Sequence, residues 1–412
     1  MSKKYDFIIV GSGLYGSTLA YLLSMVGKKK VAVLEKADHT GGKLHSYKDP
    51  VLNIPVDFGP HIFHTKNKDV YEFVNSLVEL KPIHYSIAAY NGKKYFHIPF
   101  DMNTFNDLWN ISEIAPAIAK LKEQILPITT ISNSEDYYQS FYGKDLYNKI
   151  IKNYICKIYG DKNTFKNIVP GSIVSMINST DLIPIYSKRY TTMFNTDYSG
   201  IIANGTGTLI DSLLENCDVI VNSDYLANKQ LFDSWTDYVI YTGRIDEYYD
   251  YKYGELKWCS IDFSKPQYKL IEESQGCPVK IDITKDSLWY RTTEPAYFYN
   301  KESDADFNST LYINESYHIV DNEHIPCYPY RSQSEYDKWK KYWNQPIDSQ
   351  MIFGGSLAEF KFYTMDETIL NAIQKFKIIM EQCSNHSNET DNNIIKEEKS
   401  VKETRGGRRS KK

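Results

Sequence analysis

The sequence lacks the features that would place it in several large protein classes. Its six cysteines, at 156, 217, 259, 277, 327 and 383, are scattered. There is no Cys-x-x-Cys pair, and no cluster of histidines is read as a zinc site. A disulfide framework is therefore not expected, which suits a reducing compartment, and no metal site is expected. No segment approaches the roughly 18 consecutive apolar residues of a membrane span. The opening Met-Ser-Lys-Lys-Tyr-Asp leads straight into a strand pattern instead of a signal peptide. A cytoplasmic protein without a membrane partner is the expectation, with the sequons at Asn385 and Asn388 left unmodified. A net charge of −4 gives no global attraction for nucleic acid or anionic lipid. Internal repeats are also missing.

What is abundant is tyrosine, 35 residues against 18 phenylalanines. Each offers a ring to stack and a hydroxyl to hydrogen-bond, which suits a sugar or nucleotide site and equally a compositional habit. The length, 412 residues, allows two or three domains. Tyr5 to Val10 is an apolar run ending in Gly-Ser-Gly; Thr18 to Val26 has helical spacing; Val31 to Leu34 is a second buried strand. This strand–turn–helix–strand order is one mononucleotide-binding unit. From about Phe105 to Val169 the spacing is helical. From about Ile183 to Tyr330, short β-branched and aromatic runs broken by Gly, Asn, Asp and Pro predict an antiparallel sheet. Within that stretch, Asp218 to Val221 and Val239 to Gly243 read as strands returning to the first unit. A helix from about Asp366 to Met380 closes the pattern, and the charged, apolar-poor segment after Cys383 predicts a disordered tail.

Gly11, Gly13 and Gly16 fit Gly-x-Gly-x-x-Gly. The first permits the tight turn, the second lets backbone approach a pyrophosphate, and the third lets helix and strand pack closely. The helix N-terminus then presents free N–H groups to phosphate. Glu35 ends the second strand about 20 residues on, where an acid bonds ribose hydroxyls and disfavours a 2′-phosphate. Gly41-Gly42 adds a second exposed-backbone turn, and Phe353-Gly-Gly-Ser precedes a helix near Met365 whose positive end suits a flavin's carbonyls. This bipartite arrangement points to FAD over a diffusible nicotinamide.

With Gly-Pro-His-Ile-Phe-His-Thr at 59–65, the sequence resembles UDP-galactopyranose mutases, in which such a segment lies against the isoalloxazine. The resemblance continues through Ile98–Phe105, Gly143–Tyr147, Tyr154–Gly160, Tyr241–Asp246, Tyr328-Pro329 and Phe353–Tyr363, in collinear order from about residue 5 to 380. It implies an α/β fold: a Rossmann-like FAD-binding domain with an inserted helical bundle and an antiparallel β-sheet domain. The expected boundaries are 1–83, 207–250 and 331–383 for the FAD domain and 100–180 for the bundle. Residues 84–99, 181–206 and 251–330 are assigned to the sheet domain, and 384–412 to the tail.

The implied activity is a redox-neutral interconversion of UDP-galactopyranose and UDP-galactofuranose, in which reduced flavin attacks the anomeric carbon and displaces UDP. An external reductant such as NAD(P)H is implied, and dimers are common in such families. His61, His64, Arg291 and, from a loop, Arg189 are the implied catalytic residues; Lys188 is its neighbour there. Implied cofactor contacts are Gly11, Gly13, Leu14, Tyr15, Gly16, Glu35, Lys36, Gly42, Lys43, His61, Ile62, Val219, Gly355, Ser356, Tyr363 and Met365. Tyr154, Tyr159, Arg291, Tyr328 and Phe362 are implied at the substrate. Several family positions differ. Leu182 stands where a diphosphate arginine is usual and Met193 where a uridine-stacking tyrosine is. Tyr159 replaces tryptophan, and Cys259 and Ser356 replace arginines. Phe362 and Thr364 replace a tyrosine and an aspartate. These changes cluster on the sugar-nucleotide side. Two alternatives stay open: a catalytically altered or inactive FAD and sugar-nucleotide-binding homologue, and an amine-oxidase-like FAD oxidoreductase.

Overall fold

The computed structural model describes residues 4–83, 87–98, 100–127, 129, 132–159, 196–274, 276–299, 309–319, 324–330, 332–348 and 350–383. Five strands lie in the order Asp218–Ile220, Val31–Leu34, Phe7–Val10, Tyr238–Tyr241 and Met351–Phe353, all parallel. Both faces of this sheet are covered, which is why its central strands read Phe-Ile-Ile-Val and Val-Ala-Val-Leu with no polar residue. Successive side chains point to opposite faces. Phe7 and Ile9 enter a core with the helices Leu14–Tyr21, Gly207–Leu214 and 365–383. Ile8 enters a second core with Tyr225, Val239 and Phe353.

The second sheet has eight strands. Its main order is Tyr328–Pro329, Trp258–Phe263, Ser309–Ile319, Arg291–Thr293, Val279–Asp282, Ile87–Tyr90 and Tyr95–Ile98, with Gln267–Leu270 also pairing to the long strand. The pairings are antiparallel, as expected, except that Val279–Asp282 runs parallel to Ile87–Tyr90. Those two strands come from segments almost 200 residues apart, so no hairpin dictates their direction.

Helices Met102–Trp109, Ile114–Gln124, Ser134–Leu146 and Lys152–Tyr159 form the insertion. The first is started by Asp101, whose carboxylate accepts from the Asn103 and Thr104 amides. Gly143, at φ 71°, interrupts the third helix where a Cβ would meet Gln124 Cβ at 3.0 Å. Asp145 then binds Trp109 Nε1 at 2.8 Å and Gln124 Nε2 at 3.1 Å, tying three helices together. The insertion shares one core with the second sheet, in which Phe105, Tyr147 and Tyr154 meet Ile87, Ile281 and Tyr290.

One strand sits away from its expected domain. Tyr198–Ile202, assigned by sequence to the sheet domain, pairs with Phe63–Thr65 and Leu80–Lys81 beside the parallel sheet. Gly200 permits this approach, because a Cβ there would lie 2.8 Å from the Lys81 carbonyl oxygen. Ile201 and Ile202 then point into the two different cores. Among the described residues, no helix is long and apolar enough to cross a membrane. The tail 384–412, Leu182, Lys188, Arg189 and Met193 lie outside the described residues.

Candidate active site

The glycine turn forms one wall. Gly11 has φ +102°, and a Cβ on it would sit 2.3 Å from Thr242 Oγ1. A Cβ on Gly16 would sit 2.1 Å from the Gly11 carbonyl oxygen, so helix and strand meet through absent side chains. A Cβ on Gly13 would meet nothing within 4 Å; this glycine faces open space at the helix start. Gly11 and Gly16 are thus held by close packing and Gly13 is not. Gly13 also bridges to Gly41, bringing the second glycine turn against the first, with Gly42 alongside. Leu14 is buried in the core below.

Glu35 buttresses this turn. Its carboxylate accepts from the Ser12 amide at 2.9 Å, the Ser12 hydroxyl at 2.6 Å and the Ala37 amide at 2.9 Å. Three of about four acceptor positions are thereby used, leaving room for one further donor. Lys36 points to Asp224 at 3.1 Å and Glu247 at 3.4 Å on the exposed rim. Val219 sits on the outer strand beside Val33, with 37% of its surface exposed.

Tyr15 connects the turn to the C-terminal segment. Its ring packs on Gly354 and Gly355, where an added Cβ would start 2.3 Å from the Tyr15 hydroxyl and 3.2 Å from its ring. The hydroxyl is buried and has no hydrogen-bond partner among the described residues. Burial pushes its pKa well above the usual phenol range. Ser356 follows on the short helix Gly355–Ala358, and Tyr363 bonds Glu359. Met365 begins the closing helix and packs on the nucleotide-side core. That helix start is occupied by its own acids. Thr364 donates its amide to Glu367 at 2.9 Å and its hydroxyl to Asp366 at 2.5 Å, which offsets the positive helix end expected there.

The opposite wall belongs to the second sheet. Arg291 is 6% exposed and Glu315 fully buried. Arg291 Nε lies 2.9 Å from each Glu315 oxygen, and its Nη2 bonds the same carboxylate. Tyr290 and Thr293 add hydroxyl donors to Glu315 at 2.7 and 3.1 Å. Burial alone would lower the arginine pKa, but the Glu315 charge outweighs it and holds the guanidinium well above its ordinary value. The cation is thus permanent and its orientation fixed. Around it runs a row of rings: Tyr154 to Tyr290 at 5.8 Å, Tyr290 to Tyr317 at 4.2 Å, Tyr317 to Tyr328 at 6.0 Å, and Tyr328 to Phe362 at 5.4 Å. Tyr154 is enclosed in the shared core and reaches the site through Tyr290. The Tyr159 side chain lies outside the described residues.

Two segments join the walls. Gly59 passes directly over the arginine, since a Cβ there would start 3.1 Å from Arg291 Nη2. His61 Nε2 then donates to the Phe58 carbonyl, 2.9 Å away, and Ile62 is buried behind it. Burial lowers the His61 and His64 pKa values, with nearby Asp57 and Asp366 respectively opposing it. From the second glycine turn, the Lys43 ammonium donates to the Cys327 carbonyl at 2.9 Å and lies 5.5 Å above the Tyr328 ring. Burial pushes the Tyr328 phenol up to about 12.

Glu315 was missed by sequence reading, and its signal was present. In Ser309–Ile319, Leu311, Ile313 and Glu315 are alternate residues of one buried face. An acid in a period-two apolar series is a buried acid, and buried acids are paired. Ser12 and Thr242, which support the glycine turn, carried no comparable signal.

Comparison with known proteins follows the same outline. The model of the UDP-galactopyranose mutase family matches residues 149–362, and that of an NAD(P)-binding Rossmann-like domain matches 9–77. A probable UDP-galactopyranose mutase of Klebsiella pneumoniae is 28% identical over 384 residues, covering 91% of this chain and 94% of that protein. A dTDP-fucopyranose mutase of Escherichia coli is 28% identical over 377 residues, covering 89% and 96%. A crystal structure of reduced UDP-galactopyranose mutase superposes with a TM-score of 0.68 at 13% identity, covering 93% of this chain and 94% of the other.

Proposed function

The chain belongs to the UDP-galactopyranose mutase family, an isomerase family using a flavin-type cofactor, and we propose that its cofactor is FAD and its substrate UDP-galactopyranose, interconverted with UDP-galactofuranose. The observation that carries this reading is the passage of Gly59 over Arg291. It sets the histidine segment of the nucleotide-binding side against the fixed cation of the sheet.

The residues present fit FAD. The open approach at Gly13, the paired turn at Gly41-Gly42 and the unpartnered Tyr15 hydroxyl all suit a diphosphate laid across the helix start. Glu35 retains an acceptor position for a ribose hydroxyl. His61, His64 and Gly355 would flank the ring system. When bound and reduced, FAD supplies the nucleophile for the anomeric carbon.

The protein's own part is binding, orientation and charge. Arg291, held by Glu315, presents a guanidinium to the diphosphate as it departs, a group whose fork matches phosphate oxygens. Pre-orientation matters because the donor need not reorganise as negative charge develops. Tyr328 offers a phenol that stays protonated at neutral pH. His61 and His64 stay neutral there, so they add hydrogen bonds without adding charge. The tyrosine row lines the sheet side with rings, of which Tyr154 and Tyr290 are fully buried.

A second reading, a dTDP-linked fucose as substrate, is favoured by the equal identity to the dTDP-fucopyranose mutase. One experiment tests both. Dithionite-reduced and oxidised protein are each incubated with UDP-galactopyranose or dTDP-fucopyranose, and products are resolved by chromatography. Conversion of UDP-galactopyranose by the reduced form alone is expected. Conversion of the dTDP sugar alone replaces the substrate assignment, and turnover of neither by flavin-loaded protein removes the mutase reading.

A further inference from the structure

Asp262, His318 and His324 bring one ligand atom each to within 4.8 Å of one another. His318 is three residues beyond Glu315 on the same strand, which turns its side chain to the opposite face of the sheet. Asp262 is on the strand Trp258–Phe263 and His318 near the end of Ser309–Ile319, where Ser260 is paired to His318. Both Asp262 and His318 are therefore set on strands, which fixes their positions. His324 follows on the segment leading to Tyr328.

The geometry is close to that of an ion site. His318 Nδ1 lies 3.1 Å from Asp262 Oδ2. Ligands about 2.0–2.2 Å from one tetrahedral ion stand roughly 3.3 Å apart, so this edge is already near the required length. His324 Nε2 is 3.9 Å from Asp262 Oδ1, and the two imidazole rings are 3.9 Å apart at 64°. The two imidazoles thus approach different oxygens of one carboxylate, and side-chain rotation would bring the three ligand atoms, already within 4.8 Å, to the tetrahedral spacing. His318 also has a buried Nε2 with no hydrogen-bond partner among the described residues, so the ring has a nitrogen to spare whichever one binds.

We propose that Asp262, His318 and His324 bind a divalent transition-metal ion, with zinc, cobalt or nickel preferred to magnesium or calcium. Two imidazoles and one carboxylate are a borderline ligand set that disfavours the hard, oxygen-seeking cations. All three side chains retain exposure, so an entry path exists and water can fill the remaining coordination. The ion would tie His324 to the strand that carries His318. Beyond it, Ser260 Oγ bonds the Ile325 carbonyl at 2.6 Å and the Cys327 amide bonds the Cys259 carbonyl at 2.9 Å. The ion would thus staple the segment that ends in Tyr328, without touching substrate or cofactor.

The test is zinc binding by the full-length flavoprotein, measured by equilibrium dialysis with elemental analysis, beside magnesium as a control. One zinc per chain is expected, with magnesium not retained. His318→Ala and His324→Ala should each weaken binding beyond the roughly 10–100-fold cost typical of losing an outer-shell partner. Zinc should raise the thermal midpoint of the wild type and not that of the His318→Ala/His324→Ala double variant. Another close pair of imidazoles, His39 and His45, also 3.9 Å apart with Asp38 adjacent, is the internal comparison. Zinc retention that survives the double variant and falls in His39→Ala moves the ion elsewhere and overturns the proposal, as does no retention by the wild type. Since the readout is the ion and not turnover, failure here leaves the mutase assignment untouched.

Discussion

Glu315 holds Arg291 through both carboxylate oxygens, at 2.9 Å each from Nε, in a site where the acid is fully buried. Two charges have left water, and their mutual attraction with the added Tyr290 and Thr293 bonds offsets that cost. Glu315→Ala leaves the buried guanidinium without this carboxylate. Removing one partner of such a pair costs about 3–5 kcal/mol. Urea denaturation of the variant should show a loss of that size, and Glu315→Gln a smaller one, because the amide still accepts from Tyr290. A loss below about 1 kcal/mol, the range of exposed pairs, would mean that the cation is solvated and not fixed.

Gly13 and Gly16 belong to one motif but answer to different physics. Gly16→Ala drives a Cβ to 2.1 Å from the Gly11 carbonyl oxygen, so backbone must move. The expected cost is about 1–3 kcal/mol or more, seen in the unfolding midpoint of the cofactor-free protein. Gly13→Ala meets no neighbour, so that midpoint should stay put. Instead it obstructs phosphate approach; losing one charge-assisted bond, about 1.5–3 kcal/mol, weakens flavin retention about tenfold or more. Retained flavin in Gly13→Ala would show that the diphosphate takes another path.

The parallel sheet was legible because its strands are buried on both faces and so read as unbroken apolar runs, and because the glycine spacing is a steric requirement. The two walls of the site were legible unequally. Arg291 is visible only through its resemblance context, whereas Glu315 is visible in the alternation of its strand. Some motif segments turned out to serve the scaffold. Arg244 and Asp246 of the Tyr241–Asp246 element form a buried pair 2.7 Å apart, and Asp246 also accepts the Leu256 amide. Asp145 of the Gly143–Tyr147 element ties helices. What sequence could not supply was placement of Tyr198–Ile202. Its apolar residues fit either core, and only the missing side chain of Gly200 decides which neighbour can approach.

Burial lowers the pKa values of His45, His61 and His64. In the unfolded chain these rings take up protons near pH 6.5, while in the folded protein they resist until lower pH. Below about 6.5 the unfolded state therefore binds more protons, and stability falls with falling pH. The slope is at most about 1.4 kcal/mol per pH unit for each ring. His64→Gln should flatten the stability profile between about pH 6.5 and 5 relative to wild type. If the two profiles run parallel across that window, His64 titrates normally in the fold.

Tyr328 and Phe362 face each other with ring centroids 5.4 Å apart, and Lys43 covers the Tyr328 ring from the glycine-turn side. Tyr328 is the polar member of the pair. If its hydroxyl meets the diphosphate, Tyr328→Phe forfeits a bond to a charged group, about 1.5–3 kcal/mol, which is roughly ten- to hundredfold in kcat/KM. Phe362 is the apolar member, standing where a tyrosine is expected from the family resemblance. Phe362→Tyr adds a donor to the same cleft, and one neutral hydrogen bond is worth about 0.5–1.5 kcal/mol. With UDP-galactopyranose, kcat/KM should therefore rise about two- to tenfold. The measurement is steady-state conversion by dithionite-reduced protein, with both sugar nucleotides run in parallel. A fall on Phe362→Tyr instead would mean that the apolar ring matches an apolar part of the substrate, and a 6-deoxy sugar such as dTDP-fucopyranose would then outperform UDP-galactopyranose with the wild-type protein.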